Sequence, residues 1–334
     1  MGQLVETSQP LKREDISDEL VVVDAAKTPL FTSTTKGPSP NQTLFEQPVD
    51  KYDDPKVTGR PDGTDIASGD YEDAQENQDK LPARVQWFAR FPVVGKIAGM
   101  VNVAGVGKGQ SFAKAKVKKM VELKRDIEAR TVSVLDSAAD NGTDGSLTRG
   151  LGKWIQNGAQ SNDAVPSAYR TPTANIIDVG TAASDITEQN LQDLGQALWE
   201  QTKEKVAYEL PMTASAKARV TNFTRTSPEN EGEMVLSRFN QDLSSTTLKR
   251  VIDIYEGDFA SFHMYAHPFM SEAASNTLNQ LAYAIRPDLM EYRVMQGPME
   301  EELYNGGGGR KSQIDAILGL VYKNPLAAGK LVQH

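Results

Sequence analysis

The chain has no cysteine among its 334 residues. Disulfides, thiolate metal sites and a cysteine nucleophile are therefore excluded. Histidine is nearly as scarce, with three copies, one of them the terminal His334. That leaves few centres for histidine-based nucleophilic chemistry. No apolar run approaches the roughly 18 residues of a membrane span. The opening MGQLVETSQP lacks the basic and apolar regions of a signal peptide. Glu6 breaks the myristoylation pattern that Met1 and Gly2 begin. These absences predict a soluble, cytoplasmic product with no membrane partner. Positive charge is also in deficit: Lys and Arg number 36 against 45 Asp and Glu, a net of -9. That argues against a dedicated nucleic-acid binder, which would show a basic face and a high pI.

What remains is a chain long enough for about two domains. Its first 45 residues are extended in composition, with a short helix predicted from Ile16 to Val23, capped by Ser17. Residues 46–79 carry eleven acidic against three basic groups, punctuated by Pro and Gly. On composition alone this is a disordered acidic linker. Residues 83–106 turn aromatic and β-branched and predict one or two strands, arranged as a returning hairpin arm.

The clearest helix is predicted over 111–140, with Ser111 as its N-cap. On a helical wheel Ala113, Val117, Met120, Val121, Leu123, Ile127, Val134 and Leu135 share one arc. Lys118, Lys119, Glu122, Arg125, Asp126 and Arg130 lie opposite. Residues 114–130 hold seven basic and three acidic groups, so a -8 tract and a +4 helix coexist in one chain. A solvated face is the usual fate of such a run. Mutual attraction between neighbouring copies is the better-motivated use here.

Leu151, Trp154 and Ile155 form an apolar cluster in an otherwise loop-rich stretch. A second helix, capped by Thr187, carries Leu191, Leu194 and Leu198 at helical spacing. A third begins just after Pro211, two strands join at Glu256-Gly257-Asp258, a further strand-like stretch follows, and another strand runs from about Gln313 to Tyr322 before a short tail. Helices and strands fall in separate blocks, the α+β class.

Candidate chemistry is thin. A Walker loop ending in Lys311-Ser312 needs glycine at 305 and 310, where the chain has Asn305 and Arg310. His263 and His267 are four apart, but on a predicted strand and with no glutamate after the first. No G-x-S-x-G or G-x-G-x-x-G occurs. We therefore expect no enzyme: no catalytic residues, no cofactor and no metal.

The order of parts resembles the major capsid protein of tailed bacteriophages, the Hong Kong 97-type fold. Five segments resemble one family of major head proteins in the same order: LVVVDAAKTPLFTSTTKGPSPNQTLFEQPVD, LKRDIEART, LTRGLGKWI, VIDIYEGDFASFHMYAHPFM and VYKNPLAAGKL. Tyr255, Asp258 and Phe259 match the strand-pair motif, while Ala260 stands where the family has glycine. The excursion at 56–82 is longer and more acidic than the family's. No lysine, asparagine and glutamate match the isopeptide cross-link of the Hong Kong 97 phage, so that chemistry is not carried over.

The resemblance implies an N-terminal arm at 1–45, an E-loop at 46–108, and a P domain at 109–182 with its spine helix at 111–140. An A domain at 183–300 and a closing strand and tail at 301–334, returning to the P domain, complete the chain. It implies self-assembly as hexamers and pentamers into the icosahedral head of a virion, assembled in the host cytoplasm around double-stranded DNA held by weak non-specific contact. Portal and scaffolding proteins are implied partners, and a decoration protein a further one. Residues 226–247 and 305–310 are candidates for the capsomer centre. Inter-subunit contact candidates are Phe31 and Phe45 in the arm, Asp53, Asp54, Asp70, Glu72 and Asp73 on the excursion, and Lys118, Lys119, Arg125 and Arg130 on the helix. The alternative is a DNA-binding or DNA-packaging accessory protein using helix 111–135. A nucleotide-binding enzyme using Lys311 is a third possibility.

Overall fold

The structure is a computed structural model describing residues 27–73, 75–159, 164–180, 185–221, 252–270, 280–304 and 306–333. The predicted helix at Ile16–Val23 and the 226–247 loop lie outside the described residues. The chain divides into two compact units. The larger takes the described residues of Lys27–Phe88, Lys124–Gly297 and Ala316–His334; the smaller takes those of Ala89–Leu123 and Pro298–Asp315.

The larger unit begins with α1 (Pro29–Ser33), β1 (Thr35–Gly37) and β2 (Leu44–Val49). Pro29 presets the first turn of α1, where its missing N–H costs nothing. β2 pairs antiparallel with β3 (Asp79–Arg84), from Leu44 opposite Arg84 to Val49 opposite Asp79. The acidic tract 50–78 is thus a long excursion between two paired strands. The strand signal in 83–106 resolves into the end of β3, then β4 (Gln86–Arg90) and β5 (Val93–Gly95).

The long helix α2 spans Ser111–Val132 and stops short of the predicted 140. Thr131, Val132 and Val134 are β-branched and poor helix formers. Arg130 then turns its guanidinium onto the carbonyls of Asp136 (2.8 Å) and Thr148. The loop it holds is closed by a bridge between Ala138 and Leu147.

After α3 (Leu151–Trp154) and β6 (Ile176–Asp178) comes α4 (Glu188–Thr202). Thr187 Oγ1 accepts the Asn190 amide and Asn190 Oδ1 accepts the Thr187 amide, a reciprocal cap. β7 (Val206–Met212), α5 (Ala214–Thr221), β8 (Ile254–Glu256), β9 (Ala260–Ala266), β10 (Gln280–Ala284), β11 (Met290–Glu302), β12 (Gly309–Tyr322) and β13 (Gly329–Val332) follow. A six-stranded sheet orders them β6-β13-β10-β7-β9-β8. Leu191, Leu194 and Leu198 of α4 pack on it against Tyr208, Leu210, Phe262 and Leu331. Each such fully buried side chain contributes about 1.5–3 kcal/mol. Gly329 lets α4 approach: a Cβ there would sit 2.7 Å from Leu194 Cδ1.

The predicted tail is therefore a sheet strand, β13. The strand-like stretch before it is two strands, β10 and β11, separated by a 3-10 turn at Pro287–Leu289. The predicted strand from Gln313 starts earlier, at Gly309.

Within the smaller unit β5 pairs antiparallel with the start of β12, Gly95 opposite Gly309 and Val93 opposite Lys311. Gly105, Gly107 and Gly109 all have φ between 69° and 81°, so the ribbon leading into α2 turns where only glycine does so without strain.

Candidate functional site

Lys311 lies in a strand, paired with Val93, and no helix follows it. The Walker geometry is therefore absent from this loop. His263 is exposed on β9, whereas His267 is buried beyond its end. Among the described residues no three His, Asp or Glu side chains are placed to share a metal, and no helix is long and apolar enough to cross a membrane.

The geometry instead builds surfaces. Among the described residues twenty large apolar side chains are exposed, and ten of them fall in the smaller unit. They include Phe91, Ile97 (80% exposed), Met100, Val101, Val117 and Met299. A further four, Tyr52, Val57, Ile66 and Tyr71, stand on the acidic excursion. Exposed apolar side chains in such numbers mark surfaces that another chain covers. Charge sorts them further. Residues 89–123 and 298–315 of the smaller unit carry nine basic and five acidic groups, three of the acids being Glu300, Glu301 and Glu302 beside Met299, while 50–78 carry nine acidic and three basic. One surface is apolar and basic, the other apolar and acidic.

The predicted contact residues divide accordingly. Asp53, Asp54, Asp70, Glu72 and Asp73 are all exposed on the excursion. Three are partnered across its two legs: Glu72 pairs with Lys56, Asp70 with Arg60, and Asp53 accepts from Asn77 at 2.5 Å. Lys118 is exposed on α2, and Lys119 is half-buried against Glu122 at 2.6 Å. Arg125 lies over the Phe269 ring, 5.5 Å from its centroid. Arg130 corrects the helical wheel. It is 8% exposed, its guanidinium is used within its own chain, and burial lowers its pKa to about 10. Ala113, Val117 and Met120, assigned to the packed arc, are exposed instead.

The arm also needs correction. Composition predicts an extended segment with nothing to mark a packed part. Between Lys27 and Gly37 it does pack. Leu30 is fully buried, Phe31 lies 5.5 Å from the Tyr292 ring, and β1 pairs parallel with β11. Phe45 is half-buried on β2, its ring against Gly319. The sequence reasoning missed the apolar ribbon at 91–103. Its signal was present in a long acid-free stretch dense in valine and glycine.

The SU10 major capsid protein family model matches residues 3–333. The chain belongs to that family. Solved structures agree on the fold. The capsid structure of the cyanophage P-SCSP1u aligns over 99% of this chain and 97% of its own, with 9% identity and a TM-score of 0.62. The Mycobacterium phage Adephagia structure aligns over 100% and 99%, at 10% identity and a TM-score of 0.61. The cyanophage Pam1 capsid does so over 99% and 98%, at 12% identity and a TM-score of 0.57. No match was found among curated proteins. A family member of this fold is a major capsid protein of a tailed phage, a component of the virion that forms its icosahedral head. The family is structural, and the DNA-binding accessory alternative is not favoured.

Proposed function

We propose that the subunit assembles with copies of itself as hexamers and pentamers, and that the acidic excursion of one copy covers the basic, apolar surface of the next. The observation that carries this is the paired asymmetry: exposed apolar side chains concentrate on two surfaces of opposite charge. Like the sides of a heterologous interface, such surfaces repeat around a ring rather than closing on themselves. The carboxylates of Asp53, Asp54, Asp70, Glu72 and Asp73 face Lys118, Lys119 and Arg125 of a neighbour in this arrangement, with Tyr52, Val57, Ile66 and Tyr71 burying against its apolar ribbon. Charge complementarity then sets register and encounter rate, and apolar burial supplies most of the affinity.

In the terms of the fold, residues 46–108 act as E-loop, 109–182 as P domain, 183–300 as A domain and 301–334 as the closing segment. Assembly takes place in the host cytoplasm with portal and scaffolding proteins, a decoration protein being a further partner. The packaged double-stranded DNA meets the wall through weak contacts, since a chain of net charge -9 does not hold a polyanion tightly.

The test is electron microscopy of the concentrated protein, with its mass from light scattering, at low and high salt. Shells or rings of five and six that weaken as salt rises are the expected result. Rings indifferent to salt would overturn the charge pairing. A monomer that binds DNA tightly would overturn the shell assignment.

A further inference from the structure

Three sequence segments converge on one buried carboxylate that the assembly surfaces do not use. Glu128 comes from LKRDIEART, His267 from FHMYAHP, and Leu30 and Phe31 from the TPLF of the arm. Both the Glu128 and the His267 side chains are fully buried. Glu128 Oε1 accepts the Leu30 amide at 2.8 Å, and Oε2 accepts the Phe31 amide at 2.7 Å. His267 Nε2 lies 2.8 Å from Oε1. His267 Nδ1 in turn accepts the Phe269 amide at 3.2 Å. A ring nitrogen that accepts carries no proton, so the proton is on Nε2 and is donated to Glu128. The carboxylate therefore gathers three donors, two of them from the arm.

The surroundings fix both ends of this contact. On the arm, Thr32 Oγ1 and the Thr32 amide both bond the Thr28 carbonyl, which holds the turn that aims the two amides. On the helix, Thr131 Oγ1 lies 2.6 Å from the Tyr292 hydroxyl, and the Tyr292 ring meets Phe31. Aspartate at 128 would be one methylene short of the amides. Glutamine would offer an N–H where a donor already points.

We propose that Glu128 is a positioning residue for the N-terminal arm. It latches residues 28–34 onto the long helix, while His267 fixes the orientation of the carboxylate. Lifting the arm removes two of three donors from a buried carboxylate, a cost met only if the segment opens far enough to admit water. The arm therefore leaves every subunit from one fixed point. The latch stands without the shell assignment; its consequence for assembly rests on that assignment.

The experiment is hydrogen exchange on the full-length, unassembled protein. In the wild type, Leu30 and Phe31 should exchange slowest of residues 27–37. Equal rates across that segment would overturn the latch, with no variant needed. In Glu128→Gln, both amides should exchange about 10- to 100-fold faster, while strands 206–212 and 280–284 stay unchanged. Uniform acceleration would make Glu128 a general core support and overturn the positioning role. His267→Gln keeps a donor but loses the acceptor for Phe269, and should give a smaller acceleration at the same two amides. Shell formation by Glu128→Gln reads the consequence separately. Fewer or misshapen shells are expected; normal shells with fast arm exchange would overturn the consequence for assembly alone. Failure of the wild type to form shells would count against the shell assignment alone.

Discussion

Replacing Arg149 with methionine tests how the root of the acidic excursion is held. The side chain is fully buried. Its Nε donates to Asp136 Oδ1 at 2.8 Å, Nη2 to Ser137 Oγ at 3.1 Å, and Nη1 to the Pro82 carbonyl at 3.2 Å. The guanidinium lies over the Trp154 ring, 4.8 Å from its centroid. Pro82 is on β3, opposite Glu46 of β2, so this one cation ties the excursion's base to the loop after α2 and to α3. Methionine fills the space but takes the cation from the Asp136 carboxylate, which keeps the Ser137 amide at 2.7 Å, and a donor from the Pro82 carbonyl. Removing one partner of a buried pair costs about 3–5 kcal/mol. Against a total stability of about 5–15 kcal/mol, that is a large fraction. Urea unfolding of the unassembled protein, followed by tryptophan fluorescence, measures it. Arg149→Lys should recover little, because an ammonium cannot fork to three acceptors. Arg149→Met combined with Asp136→Asn should cost less than the sum of the two singly, because the carboxylate charge that the cation balanced is gone. A loss under about 1 kcal/mol for Arg149→Met would refute the reasoning, since that is the scale of a surface pair.

Gly319→Ala should destabilise by about 1–3 kcal/mol, seen as a lower melting temperature; its Cβ would stand 2.5 Å from the Arg84 carbonyl and 2.9 Å from the Phe45 ring. Lys330 should make stability rise at alkaline pH. Burial first, and the charge of Lys153 second, lower its pKa from 10.5 to about 8. Below pH 8 both folded and unfolded chains hold this proton, and the cost of burying the ammonium is fully present. Between the two values the unfolded chain binds more protons, so stability rises by at most about 3 kcal/mol. Urea midpoints at pH 7.5 and 10 should separate less in Lys330→Met than in the wild type. Lys118→Glu should leave the isolated subunit within about 0.5 kcal/mol of wild type yet reduce shell yield at low salt; an unchanged yield counts against the charge pairing.

Where periodicity and capping chemistry coincide, the sequence was legible. Thr187 and its three leucines place α4 to within a residue or so, because an exposed cap and a one-sided apolar stripe are local properties. The pair β8 and β9 was readable for the same reason, with its turn at Gly257. The wheel on α2 failed because it assumes that apolar side chains are covered by their own chain. Val117 is 66% exposed and Met120 38%, while the cation of Arg130 is buried. Charge could be read as two opposed tracts, but not that one of them carries an apolar ribbon beside it. The Glu128 site was hidden for a different reason. Its other members lie 97 to 139 residues from Glu128, and nothing local distinguishes a glutamate that collects backbone amides from one in solvent. Motif resemblance pointed to all three segments without saying that they meet.

The ion pairs across the excursion have a consequence for shell geometry. Lys56 with Glu72, Arg60 with Asp70, and the amides of Asn77 and Gln78 on Asp53 and Asp50 form rungs between its two legs. The charged groups of both ion pairs are at least a third exposed. Exposed pairs of this kind are worth about 0–1 kcal/mol each. The excursion is thus a ladder whose rungs can be exchanged one at a time for water or for a neighbour's lysine at almost no cost. A subunit repeated around both five and six positions meets two slightly different neighbours. A ladder with weak rungs lets the same sequence bend to either, so in the proposed shell quasi-equivalence is absorbed in the loop and the paired strands at its root need not move.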